Sequence, residues 1–99
     1  MESEDLPIVL MVTAGGRNDA ERLGEGLVVE QLAGSCSVVP TVHSFYLADG
    51  LLQREHQALL LVRTVVSKRE QVVEYLAQHH SDQLSELLEL QVTKPGMNR

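Results

Sequence analysis

Two apolar runs flanking Ala48, Asp49 and Gly50, together spanning Val38 to Thr64, are too long for a chain of 99 residues to cover by itself. At about 3.3 Å per residue, Val38 to Leu47 alone would extend roughly 33 Å, whereas a strand in a compact domain usually has about five or six residues. A strand without neighbours exposes unpaired N–H and C=O groups, and identical copies are the natural cover when the chain has little surface of its own. The expectation is therefore a small domain that assembles with itself.

Around these runs the chain reads as alternating elements. Pro7 to Ala14 is a continuous apolar run, predicting a central strand covered on both faces. After Gly15 and Gly16, Asn18 and Glu21 have capping-box spacing. Ala20, Leu23, Leu27, Val28 and Leu32 then follow a helical stripe that Gly34 is placed to stop. Gly24 and Gly26 lie inside that helix, where each costs about 1 kcal/mol relative to alanine, so close packing on a sheet is expected there. Pro40 lacks an N–H and marks a sheet edge or a bulge in the run from Ser37 to Leu47. Gln57 to Thr64 predicts the return strand. Ser67 with Glu70 forms a second capping box, opening a helix with Val72, Val73, Leu76 and Ala77 on its buried stripe and an end near His79. Ser81 to Val92 fits helix or strand. Strand is chosen because strand, helix, strand, strand, helix needs one more strand to complete a ferredoxin-like βαββαβ sandwich of the α+β class with an antiparallel sheet. The chain is thus one domain over 1–99, with flexible tails at 1–6 and 94–99.

Composition narrows the function. Fourteen acidic against 8 basic residues give a formal net charge of −6, which disfavours a nucleic-acid backbone and supplies no polybasic membrane patch. Aromatic residues make up 3% of the chain, too few for base-stacking platforms. A single cysteine, Cys36, rules out an internal disulfide and fits a reducing compartment. The acidic N-terminus and the lack of a membrane-length apolar run predict a soluble cytoplasmic protein.

In order along the chain, several pieces resemble the CutA family, small trimeric divalent-cation tolerance proteins that share their core with PII-type signalling proteins. Leu10 to Ala14 is similar to the family's first strand, and Ala20 to Ala33 to its Ala-Glu-Arg-Leu helix. Val39, Pro40, Val42, Ser44 and Tyr46, with Gly50 four residues on, match the Ile-Pro-x-Val-x-Ser-x-Tyr strand, and Leu61 to Thr64 resembles Leu-x-Lys-Thr. His80 and Glu86 fall in the frame of the family's His-Pro-Tyr-x-x-Pro-Glu segment. The family's cysteine position falls on Ser35, so Cys36, one residue later, faces the other side of a strand. The resemblance implies a homotrimer that binds Cu or another divalent cation.

Candidate sites follow. Cys36, with His43 or His56 from another subunit, could hold Cu or Zn through thiolate and imidazole, and His80 is a further candidate ligand. The bland alternatives are a small apolar cysteine and histidines that complement a helix C-terminus. Gly15, Gly16, Arg17 and Asn18 precede a helix and could receive a phosphate or carboxylate, or serve only as a strand-to-helix turn. Tyr46, Arg63 and Glu86 match the family's polar positions near subunit contacts, where a small ligand could lie in the cleft. No nucleophile elbow, triad or paired carboxylate is visible, so no enzyme is expected.

Overall fold

In the computed structural model, which describes residues 5–80 and 87–93, the elements run β1 (Pro7–Ala14), α1 (Arg17–Val29), β2 (Ser35–Ala48), β3 (Leu51–Val65), a 3-10 turn (Val66–Lys68), α2 (Arg69–His79) and β4 (Leu88–Gln91). The four strands form one antiparallel sheet in the order β2-β3-β1-β4, the ferredoxin-like arrangement that the alternation of elements predicts. Of the segment 81–92 read as a strand, Leu88–Gln91 is one and pairs with Ile8 to Met11, whereas 81–86 lie outside the described residues.

One face of the sheet carries both helices. Ile8, Leu10, Val12 and Ala14 of β1 lie opposite Thr64, Val62, Leu60 and Ala58 of β3, and all eight are buried. Ala20, Leu23 and Leu27 of α1 and Val72 and Leu76 of α2 close over them. The helical stripes are narrower than predicted, because Val28 and Ala77 face outward. Gly24 meets the sheet as expected: a Cβ there would stand 3.1 Å from Leu60 Cδ1 and 3.2 Å from Cys36 Cβ. Gly26 departs from that expectation, since its missing side chain makes room for the Tyr75 hydroxyl of α2 rather than for the sheet.

The helix ends also correct the sequence reading. Helix α1 starts at Arg17 behind Gly16, and no side chain caps it, so Asn18 lies inside the first turn. Ser67 does not cap α2 either. It sits in the 3-10 turn, and its backbone N–H is bonded to Asp5 Oδ1 at 3.2 Å. At the other end of α1, Leu32 N–H bonds Leu27 O and Gln31 N–H bonds Val28 O, a Schellman closure three residues ahead of Gly34. Gln31 occupies its left-handed position at φ 62°, where a side chain costs about 1–2 kcal/mol that glycine avoids. Against glycine's own entropy cost of about 0.5–1 kcal/mol, Gln31→Gly is expected to raise the unfolding free energy by up to about 1.5 kcal/mol in urea titrations.

The opposite sheet face carries no helix among the described residues. Val9 and Met11 of β1, Leu59 and Leu61 of β3, and Leu88 and Leu90 of β4 share it by register. Leu88 and Leu90 are 51% and 49% exposed. The expectation that β1 is covered on both faces is therefore met by the chain on one face only.

Candidate functional site

The hairpin of β2 and β3 outruns the rest of the sheet. β1 stops at Ala14 opposite Ala58, so Val42–Ala48 and Leu51–Gln57 continue as a two-stranded ribbon. The return strand is longer than predicted, beginning at Leu51 rather than Gln57. Asp49 (φ 54°) and Gly50 (φ 77°) make the two-residue turn, both left-handed, as a type I′ hairpin requires. At the tip, Leu47 and Leu51 are 72% and 67% exposed. A lone two-stranded ribbon is marginal in water.

Pro40, read as marking a sheet edge or a bulge, lies on the edge strand β2 in a bulge between Val39 and Val42 that changes which residues face which way. Before it, Cys36 and Val38 lie on the helix side and pack against the core. After it, His43, Phe45 and Leu47 continue that side opposite His56, Arg54 and Leu52, whereas Val42, Ser44 and Tyr46 turn to the open face. Ser44 Oγ donates to Gln57 Oε1 at 3.0 Å, and Tyr46 Oη donates to Glu55 Oε2 at 2.7 Å. That carboxylate holds the Tyr46 phenol above its ordinary pKa.

The candidate residues fall into separate places. Arg63 lies on the open face, with Nη1 donating to Ser37 Oγ at 2.8 Å and to Ser35 Oγ at 3.5 Å. Tyr46 shares that face near the tip, where it pairs with Gln53. Ten residues of β3 separate the two pairing positions, roughly 33 Å, so one chain does not bring Tyr46 and Arg63 together. Glu86 lies outside the described residues. Cys36 is half-buried beneath α1, on the opposite face from Ser35 as the family frame implied. Burial pushes its thiol up, against the opposing charge of Arg63. His80 Nε2 lies 2.9 Å from Thr13 O, and His79 stacks on Tyr75 at 4.0 Å between ring centroids. His43 stands against His56 across the ribbon, ring centroids 4.4 Å apart. Cys36, His43 and His80 are thus apart within one chain, and among the described residues no three His, Cys, Asp or Glu side chains group as a metal site.

Gly15, Gly16, Arg17 and Asn18 do come together. With Asp19, Pro40 and Thr41 they line an open depression of about 590 Å³ at the start of α1. Arg17 Nε lies 3.9 Å from Glu21 Oε2, and Asp19 adds a second carboxylate to the rim, so the depression is not strongly positive. A groove of about 480 Å³ runs between α1 and β2, with Val28, Val29, Cys36 and Val38 along its walls. No helix among the described residues is long and apolar enough to cross a membrane.

A helix-covered antiparallel sheet with an overlong central hairpin defines a ferredoxin-like α+β domain, and solved structures share it. CutA1 from Oryza sativa superposes with a TM-score of 0.84 at 24% identity, covering 98% of this chain and 89% of that one. CutA from Synechococcus elongatus PCC7942 gives 0.79 at 26% identity, covering 93% and 80%. A protein from Archaeoglobus fulgidus described as a periplasmic divalent cation tolerance protein CutA gives 0.81 at 18% identity, covering 94% and 90%. In sequence, the divalent-cation tolerance protein CutA of Escherichia coli (strain K12 / DH10B) is 32% identical over 91 residues, 92% of this chain and 81% of the relative. The family model for the CutA1 divalent ion tolerance protein matches residues 8–97, and the chain belongs to that family.

Proposed function

We propose that the protein is a non-enzymatic, cytoplasmic homotrimer that acts in divalent-cation tolerance by binding a transition cation such as copper. The observation that carries the assembly is the pairing of an uncovered apolar sheet face with a ribbon too long to stand alone. Three copies packed face to face would cover Leu61, Leu88 and Leu90, and each ribbon would lie along a neighbour. Tyr46 and Arg63, about a ribbon's length apart in one chain, could then meet across a seam and line a cleft between subunits.

Cys36, His43 and His80 are the candidate ligands. The raised thiol of Cys36 works against metal binding, because the thiolate is the ligand, and His80 already engages Thr13 O. His43 is the best placed of the three, since another imidazole adjoins it. Cation binding supports tolerance by lowering free metal.

The depression at Gly15–Asn18 favours a second reading, a PII-like sensor that binds a nucleotide or small anion where α1 begins. Calorimetry with CuCl2, ZnCl2, ATP, ADP and AMP separates the two. Saturable copper or zinc binding, with nucleotides silent, is the expected result, together with greater copper sensitivity in cells lacking the protein. Nucleotide binding that disappears in Arg17→Ala would replace the cation reading with the sensor.

A further inference from the structure

On its helix side the ribbon carries two imidazoles, side chains of the kind that ligate transition metals. His43 and His56 are direct cross-strand partners on the same side of the ribbon, and both are exposed. Their rings meet edge to face, with centroids 4.4 Å apart and planes at 64°. Directly opposed residues hold their Cβ atoms about 4.5–5.5 Å apart, so the backbone register fixes the spacing and each ring needs only side-chain rotation to turn a nitrogen inward. Zinc–nitrogen bonds are about 2.0–2.1 Å long, which places two nitrogens on one ion roughly 3 Å from each other. Two rings this close reach that separation without moving either strand.

We propose that His43 and His56 form a two-imidazole chelate for a divalent transition cation, with water completing the coordination. The proposal rests on the cation-tolerance reading for its purpose, and it gives His43 a partner in its own chain in place of Cys36 and His80. Imidazole donors select Cu2+, Ni2+ and Zn2+ over Ca2+ and Mg2+, and Cu2+ binds tightest of these. The chain's formal charge of −6 favours approach of a cation. Arg54 is a basic neighbour on that side, and its guanidinium lies over the Phe45 ring, 4.9 Å from the centroid, two register positions further toward the tip. The ribbon's two strands pre-organise the pair, and a bound ion would clamp them together beyond Ala14, where β1 no longer pairs with β3.

A ring pair that only stabilises the ribbon is separable from a chelate. His43→Phe with His56→Tyr keeps two packed rings and removes the ligands; His43→Gln and His56→Gln remove them singly. The 99-residue chain has 4 histidines, so each imidazole can be followed by long-range 1H–15N spectra during titration with ZnCl2, with CuCl2 affinity measured by calorimetry. The expected result is saturation at one Zn2+ per chain with the His43 and His56 ring nitrogens shifting together and those of His79 and His80 unmoved. Loss of an outer-shell partner alone typically costs about 10–100-fold in metal affinity, so each single variant should lose at least about tenfold. The Phe/Tyr double variant should lose the binding while keeping its melting temperature. Unchanged zinc affinity in His43→Gln, or zinc shifts confined to other residues, would overturn the chelate and leave the cation reading standing. Absence of any saturable Zn2+ or Cu2+ binding would overturn both.

Discussion

Leu60→Ala is expected to lower the unfolding free energy by about 2–5 kcal/mol, a large share of the roughly 5–15 kcal/mol that a domain commonly has. Leu60 has no exposed surface and sits at the centre of the helix-covered face, paired with Val12 on one side and Val38 on the other. Its Cδ1 reaches into the space left by the missing side chain of Gly24, so α1 comes close to the sheet at this point. Truncation removes methyl groups from both contacts, and the backbones of α1 and β3 are held by their own hydrogen bonds, so the cavity collapses little. Chemical denaturation of the variant and the parent, compared at one protein concentration, measures the difference. A loss below about 1 kcal/mol would place the core elsewhere.

Leu61→Lys, one residue along the same strand, is expected to act on assembly rather than on the core. Leu61 points to the open face between Met11 and Ser37. Leu61 is half-buried in a single chain, where a lysine can lay its apolar stem on the sheet and carry its ammonium to solvent, so the loss of stability should be small beside that of Leu60→Ala. In a face-to-face trimer the same lysine places an unpaired ammonium in each of three apolar seams, and an unpaired buried charge costs several kcal/mol. The variant should therefore sediment as single chains at concentrations where the parent sediments as trimers. Its far-ultraviolet circular dichroism should still show both helices. Trimers that survive the lysine at the same concentration would show that the open face is not the seam.

The two substitutions, on neighbouring residues of one strand, also show what the sequence makes legible. Leu59, Leu60, Leu61 and Val62 read as an unbroken apolar run, which identifies a strand with apolar surroundings on both sides. It does not say that the chain covers only the even-numbered residues, because that depends on where the helices land. The overlong hairpin and the bulge at Pro40 were legible because strand length and a missing N–H act locally. The helix starts were not, because their capping choices are tertiary: Asp5, far away in sequence, takes the Ser67 N–H that the local Ser67 and Glu70 pattern was expected to organise. Gln31 in a left-handed conformation was equally out of reach, since glycine would be the ordinary choice for that position.

The candidate site divides along the same line. Gly15 to Asn18 are contiguous, so their convergence on one depression follows from the sequence order. Tyr46 and Arg63 required the sheet register, which puts them on one face but far apart. The His43–His56 pair was within reach of the sequence. A two-residue Asp49-Gly50 turn pairs Ala48 with Leu51, and counting back along both strands sets His43 opposite His56 before the bulge intervenes. The signal was the turn chemistry, which fixes the register, rather than any metal-ligand spacing along the chain.

In solution, two further copies of the same chain are expected to cover the open sheet face and the projecting ribbon. Sedimentation equilibrium of the unmodified protein at micromolar concentration tests it most directly. A species of three times the 11.0 kDa of one chain is expected, whereas a well-folded particle of 11.0 kDa would rule the trimer out.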